Sequence, residues 1–198
     1  MVSAVIFDLD GTLTKTPSPW QYVHERLGIW ETNACVHLER WLAGQITYEE
    51  FCRRDIGLWN GRARPELESF LDEIELNRHV GAIAHALVER RIPSIIISSG
   101  FSYVAARVQR QYSWAPLLIY ANDLLDGPEV RINVSGDFAS PLSKKAHAQA
   151  ALRLVGVAPS DTLVVSDAVR DLEQLCDCGH HLHIQEEDDL LDVIEYLH

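Results

Sequence analysis

The chain has 198 residues, which suits one domain of ordinary size or a core with a modest insertion. Hydrophobic residues make up 47% of it and the formal net charge is −12. That composition supports a packed core, excludes a disordered chain, and argues against generic nucleic-acid binding, which wants a basic face.

Taken in chain order, the first predicted element is AVIFDLD at 4–10, an apolar run that stops at two carboxylates, Asp8 and Asp10, before Gly11 and Thr12. Residues 14–75 contain no predicted strand. Ser18-Pro19 marks a helix start, Thr47-Tyr48-Glu49-Glu50 matches a capping box, and Pro65 opens a helix carrying Leu67, Phe70, Leu71 and Ile74. Trp20, Trp30, Trp41 and Trp59 lie in this segment and are expected to build its core, with one or two as alternative walls of a substrate pocket.

Residues 79–90 place Val80, Ile83, Ala84, Leu87 and Val88 on one helical stripe. IPSIIISSG at 92–100 is a second buried strand, 101–112 a helix behind Gly100, and LLIYA at 117–121 a further strand. A helix at 143–155 stops at Gly156. DTLVVSDA at 161–168 is a third buried strand, followed by a short helix at 169–176, a strand at 181–184 and a helix at 187–197. Continuous apolar strands alternating with helices predict an α/β fold with a parallel sheet. The expected division is a core of 1–13 and 76–198 with a small helical cap, 14–75, inserted after the first strand.

Cys35, Cys52, Cys176 and Cys178 are too few to staple a fold of this length, and the one-residue gap between the last two does not suit zinc. They are expected to be reduced thiols. The N-terminus has no basic segment or cleavage pattern, and no run approaches the ~20 residues of a membrane helix. A cytoplasmic location, no membrane and no nucleic-acid partner are therefore expected. His180, His181 and His183 are expected on a late strand, with His181 and His183 facing away from the chemistry.

All three buried runs put polar residues at their carboxyl ends, where open α/β sheets bind ligands. These are Asp8 and Asp10, Ser98 and Ser99, and Ser166 and Asp167, with Asp171 at the start of the next helix. Lys144 or Lys145 begins the helix before the third run. The pattern fits phosphoryl transfer. Asp8, ionised at an ordinary pKa of about 3.9, would attack phosphorus and form an aspartyl-phosphate. Asp10 would protonate the leaving alkoxide and then take a proton from the hydrolytic water. Gly11 would turn the chain clear of the phosphate, which Thr12, Ser98, Ser99 and Gly100 would help hold. Asp167 would bind Mg²⁺ with Asp8, and Asp171 would orient the lysine or a metal-bound water. The four carboxylates are formally −4, and one lysine with one Mg²⁺ brings the site to −1, which is why an ion is expected.

This constellation resembles the haloacid dehalogenase superfamily of phosphohydrolases. DLDGT at 8–12, ISSG at 97–100, Lys144 and SDAVRD at 166–171 look like its four motifs. SSGF at 98–101, AND-L at 121–124 and the Lys144-to-Gly156 spacing are similar to the phosphoserine phosphatase group, and the spacing favours Lys144 over Lys145. The resemblance implies a Rossmann-like three-layer core, Mg²⁺, and ligation of that ion by the carbonyl of Asp10. The sequence also departs from the group. KTPSPW at 15–20 lacks the glutamate that reads the substrate ammonium. Asp55 falls where an arginine would read the substrate carboxylate, with Arg53 and Arg54 beside it as candidates. Arg170 replaces an asparagine and is a third candidate substrate contact. Phosphoserine and a different small phosphorylated metabolite both remain open, as does a weakly active phosphoryl-binding protein.

Overall fold

The computed structural model describes residues 2–125, 131–133 and 143–197. The first strand, β1 (Ala4–Phe7), is buried at every position, as a β-branched run covered on both faces should be. Helices α1 (Pro19–Arg26), α2 (Cys35–Leu42), α3 (Tyr48–Gly57) and α4 (Arg64–Asp72) follow, with a π-helical turn at Trp30–Ala34. Then come α5 (Val80–Arg90), β2 (Ser94–Phe101), α6 (Ser102–Tyr112), β3 (Leu118–Leu125), β4 (Arg131–Asn133) and α7 (Ser143–Val155). The chain closes with β5 (Thr162–Ser166), α8 (Val169–Gln174), β6 (His180–His183), a 3₁₀ turn at Glu187–Asp192 and α9 (Val193–Tyr196).

The strand order is β4-β3-β2-β1-β5-β6. Five strands run parallel with flanking helices, and β4 pairs antiparallel with β3. β1 lies at the middle, with Phe7 in register with Ile96 on one side and Val165 on the other. From β1 the sheet builds outward first through β2 and β3, then on the opposite side through β5 and β6. The carboxyl ends of β1 and β5 therefore flank a reversal of strand order, where a crevice opens.

Local signals set the helix starts. Ser18 Oγ accepts the Gln21 N–H and Pro19 is the first residue of α1. Thr47 Oγ1 accepts the Glu50 N–H, but the Glu50 carboxylate turns to Arg53 and Arg54 instead of closing the capping box. Three elements differ from expectation. β4 was not foreseen, because three residues carry no periodicity and this strand exists only through its pairing with β3. β2 spans Ser94–Phe101 where 92–100 was expected, so it starts later and runs on through Phe101, the residue expected to open the next helix. The helix expected at 187–197 is a 3₁₀ turn and a short α9. There the Asp189 carboxylate takes the N–H groups of Gln185 and Glu186, and the Glu187 carboxylate takes that of Arg78.

Among the described residues, 14–75 contains no strand. An isolated bridge, Thr14 to Leu76, joins the two passages of chain at its base. Above it, Trp20 stacks on Trp59 at 5.5 Å and meets Phe101 of β2 at 4.7 Å between ring centroids. Trp59 and Phe101 are both fully buried, so one aromatic cluster spans the helical segment and the sheet. The Arg107 guanidinium on α6 donates to the carbonyls of Leu71 and Ile74. No helix among the described residues is long and apolar enough to cross a membrane. Trp59→Ala should cost about 3–5 kcal/mol of stability, because this buried ring cannot be replaced by collapse of its neighbours. Urea unfolding followed by circular dichroism checks this, and a loss below about 1 kcal/mol would contradict the packing described.

Candidate active site

Four carboxylates come together where β1 and β5 end. Asp8 follows β1 directly, and its backbone N–H donates to Val165 O on β5 at 2.9 Å. Asp8 Oδ1 accepts from the Leu9 N–H at 2.8 Å and from Lys144 Nζ at 3.0 Å. Lys144 reaches across from α7 and also donates to Asp171 Oδ2. Lys145 turns away and pairs with Asp177 at 2.6 Å, so Lys144 is the lysine of this site. Asp171 is held in addition by Ser166 Oγ at 3.0 Å.

Close approach explains two glycines. A Cβ on Gly100 would overlap Asp10 Oδ2, and a Cβ on Gly11 would overlap the Asp167 carboxylate. Gly11 also has φ of +77°, a left-handed conformation that other residues adopt only with strain. Thr12 and Ser98, both expected at the phosphate, serve the carboxylates here. Thr12 Oγ1 accepts the Asp167 N–H at 3.0 Å and donates to Asp167 Oδ1 at 3.3 Å. Ser98 Oγ accepts the Gly100 N–H at 2.7 Å and donates to Asp10 Oδ2 at 2.5 Å. Ser99 is exposed at the pocket, and its carbonyl accepts from Trp20 Nε1, Tyr48 Oη and Asn122 Nδ2.

The electrostatics of the site call for more positive charge. Burial pushes the Asp10 carboxyl up to about 8, and the charge of Asp8 adds to this. Burial pushes Asp8 up to about 7, against Lys144 and with Asp171 and Asp167. Burial also raises Asp167. Desolvation opposes the Lys144 charge, but Asp8 and Asp171 outweigh it and hold the ammonium above its ordinary value. Asp10 Oδ1 is buried with no hydrogen-bond partner among the described residues. Among the described residues no three His, Cys, Asp or Glu side chains are arranged to hold a metal ion. Two carboxylates, Asp8 and Asp167, line one cavity and are a smaller set of hard oxygen donors. Such a set suits Mg²⁺, which keeps several of its waters.

A cavity of about 200 Å³ opens on this cluster, lined by Asp8, Asp10, Ser99, Lys144, Asp167 and Asp171, with Trp41 and Arg170 at its wall. Arg170 thus reaches the pocket. Arg53 and Arg54 do not line it and are engaged by Glu50. Of the tryptophans, Trp20 and Trp59 are core and Trp41 is a pocket wall, a split that helical periodicity could not make. His183 was misjudged from sequence. As the last residue of β6 it lies at the carboxyl edge, and its Nε2–H donates to the Asp167 carbonyl at 2.9 Å. Alternation along a strand tells which face a residue takes, not how near the strand end lies to a neighbouring loop. His181 donates instead to Leu175 O, and all four cysteines are free.

Asp8 and Asp10 keep protons in the folded, metal-free chain at pH values where the unfolded chain has lost them. Their contribution to stability therefore falls as pH rises from about 4 towards 8 and is level above that. Urea midpoints measured between about pH 5 and 8.5 in chelator should fall for the native chain and fall less for Asp10→Asn, which stays neutral throughout. Equal slopes would contradict the assignment.

The family model described as haloacid dehalogenase-like hydrolase matches residues 5–175. A phosphoserine phosphatase of Albidiferax ferrireducens is 24% identical over 181 residues, covering 88% of this chain and 75% of its own. A phosphoserine phosphatase of Archaeoglobus fulgidus is 23% identical over 171 residues, covering 84% of this chain, which spans 48% of that relative's length. A solved structure described as a phospho-aspartyl intermediate analogue of phosphoserine phosphatase superposes with a TM-score of 0.74 at 16% identity, covering 96% of this chain and 90% of its own. A hydrolase of the same family from Salmonella enterica serovar Typhi superposes at 0.78 with 18% identity, covering 98% and 72%. The structural likenesses speak for the fold, and the family match extends through the first strand, Lys144 and the Asp167–Asp171 loop: the chain belongs to the haloacid dehalogenase-like hydrolases.

Proposed function

We propose that this chain is a Mg²⁺-dependent phosphatase that hydrolyses a small phosphomonoester through an aspartyl-phosphate on Asp8. The observation that carries the reading is the pairing of Asp8 with a largely buried Lys144 beside a second carboxyl, Asp10, pushed up to about 8. Lys144 opposes the burial that pushes Asp8 up to about 7 and makes it the more readily ionised of the two, while burial holds the proton on Asp10. A nucleophile needs the ionised form and a general acid the protonated one.

Asp8 Oδ1 is occupied by the Leu9 N–H and Lys144, which leaves Oδ2 to attack phosphorus in line. Lys144 would bridge Asp8 and the incoming phosphoryl group and offset its charge. The leaving alkoxide takes its proton from Asp10 Oδ1, the oxygen without a hydrogen-bond partner, while Ser98 holds Oδ2. Water then attacks the phosphorus of the acyl phosphate and gives its proton to Asp10, and Asp8 leaves as the free carboxylate. Mg²⁺, held by Asp8, Asp167 and the Asp10 carbonyl, would neutralise charge as one anion approaches another. Thr12 and His183 fix the side chain and backbone of Asp167 for that duty. The helices of 14–75 would act as a cap over the strand ends, with Trp41 as its wall on the pocket.

Relatives named phosphoserine phosphatase support the substrate class, a small phosphorylated metabolite. They do not extend to phosphoserine itself, since Asp55 and the Glu50-bound Arg53 and Arg54 replace the expected reader of a carboxylate.

Purified protein should release phosphate from p-nitrophenyl phosphate with Mg²⁺, lose this in chelator, and regain it when Mg²⁺ is returned. Asp8→Asn should abolish turnover, and Asp10→Asn should lower kcat by about 10²–10⁴-fold. Full activity in Asp8→Asn would overturn the assignment. Binding of beryllofluoride without turnover of any phosphate ester would point to a phosphoryl-binding protein instead.

A further inference from the structure

A second cavity, of about 80 Å³, lies inside the helical segment and shares Trp41 and Ser99 with the catalytic pocket. Its walls are aromatic: Trp20, Trp30, Trp41, Tyr48 and Phe51, with Asp55 among them. Trp41 stacks on Phe51 at 5.3 Å and meets Tyr48 at 5.5 Å. The polar edges of Trp20 and Tyr48 are already taken, because Trp20 Nε1 and Tyr48 Oη both donate to Ser99 O. These rings therefore present carbon faces to the cavity, and a π-face carries negative potential.

Asp55 supplies the formal charge of this lining, since no lysine or arginine is among its described residues. His37 Nδ1 bonds Asp55 Oδ1 at 2.7 Å, which orients the carboxylate. Asp55 Oδ2 accepts no hydrogen bond among the described residues, and His24 Nδ1 stands off at 3.9 Å. Burial holds both histidines below their ordinary range and pushes the Asp55 carboxyl up to about 8, so the empty cavity supplies no cation to keep it ionised, and an arriving cation would draw off its proton. A buried carboxylate without a counter-charge, walled by aromatic faces, is complementary to a cation and unfavourable for an anion.

Building on the phosphatase reading, we propose that this cavity binds a cationic nitrogen on the leaving group, so that the substrate is a phosphomonoester of an amino alcohol carrying no carboxylate. Trp41 and Ser99 line both cavities, so the two are neighbours, and a small molecule spanning them would place its phosphate at Asp8 and its nitrogen among the rings. A carboxylate on the carbon that bears the nitrogen, as in phosphoserine, would be brought towards Asp55 and repelled. Quaternary and primary ammonium groups share this chemistry, and the test includes both.

With Mg²⁺-loaded protein, kcat/KM is measured for phosphocholine, phosphoethanolamine, phosphoserine and 3,3-dimethylbutyl phosphate, the neutral isostere of phosphocholine. At least one of the two amino-alcohol esters should exceed both the isostere and phosphoserine, with phosphocholine over its isostere by about tenfold if the quaternary group is preferred. Trp41→Leu and Asp55→Asn should each shrink the preference. A preference at or below one in the native chain, or one that neither substitution moves, overturns the proposal even when p-nitrophenyl phosphate is turned over. If no ester is hydrolysed, the phosphatase reading fails separately, and quenching of tryptophan fluorescence decides the cavity. Tighter binding of phosphocholine than of its isostere upholds it, and equal binding overturns it.

Discussion

The rest of the site is organised around the crowding of four carboxyl groups at the ends of two adjacent strands. Asp8, Asp10, Asp167 and Asp171 would repel one another in any medium, and burial raises the cost. The chain answers each one with a dedicated partner. Lys144 serves Asp8 and Asp171, Ser98 serves Asp10, Thr12 serves Asp167, and Ser166 adds a second bond to Asp171. Gly11 and Gly100 are required because the carboxylates of Asp167 and Asp10 occupy the space where a side chain would begin. Among the described residues, Asp10 Oδ1 is the one fully buried oxygen of these four carboxylates without a hydrogen-bond partner, and it falls on the group whose proposed task is to give and take a proton.

The helical segment is built into this arrangement. Three donors converge on the Ser99 carbonyl, two of them from α1 and α3 and the third from Asn122 on β3. Asn122 also donates to Tyr48 Oη at 2.9 Å. The same Trp20 packs on Phe101 and Trp59. Strand β2, the aromatic walls and the buried cluster of 14–75 thus form one packed unit. A shift of α1 or α3 would pull directly on Ser99, two residues from the Phe101 contact and one from Ser98.

The interior of that segment shows the opposite balance of polar groups. Among the described residues, His24 is fully buried with neither ring nitrogen hydrogen-bonded, Trp59 Nε1 is also unpartnered, and Asp55 accepts a hydrogen bond on one oxygen. A segment selected for stability alone would be cheaper with apolar residues at these positions. Of the three, Asp55 lines the cavity of about 80 Å³.

The sequence by itself determined the alternation of buried strands and helices, the starts at Ser18 and Thr47, and the order in which Asp8, Ser98, Lys144 and Asp167 arrive. Those follow from local periodicity, from capping chemistry and from polar residues ending apolar runs. Motif spacing favours Lys144 over Lys145, and tertiary structure supplied the contact itself, since the two differ by about 100° around α7 and Lys144 is the one that reaches Asp8. It also decided that Trp41 is a wall while Trp59 is core, that Ser98 and Thr12 brace carboxylates, and that His183 holds the Asp167 backbone. β4 and the 3₁₀ turn at Glu187–Asp192 belong with these, because each is fixed by partners distant in the chain or by capping bonds that periodicity does not encode. A residue's neighbours along the chain set its backbone; which distant group its side chain meets depends on how strands of unlike origin are brought side by side.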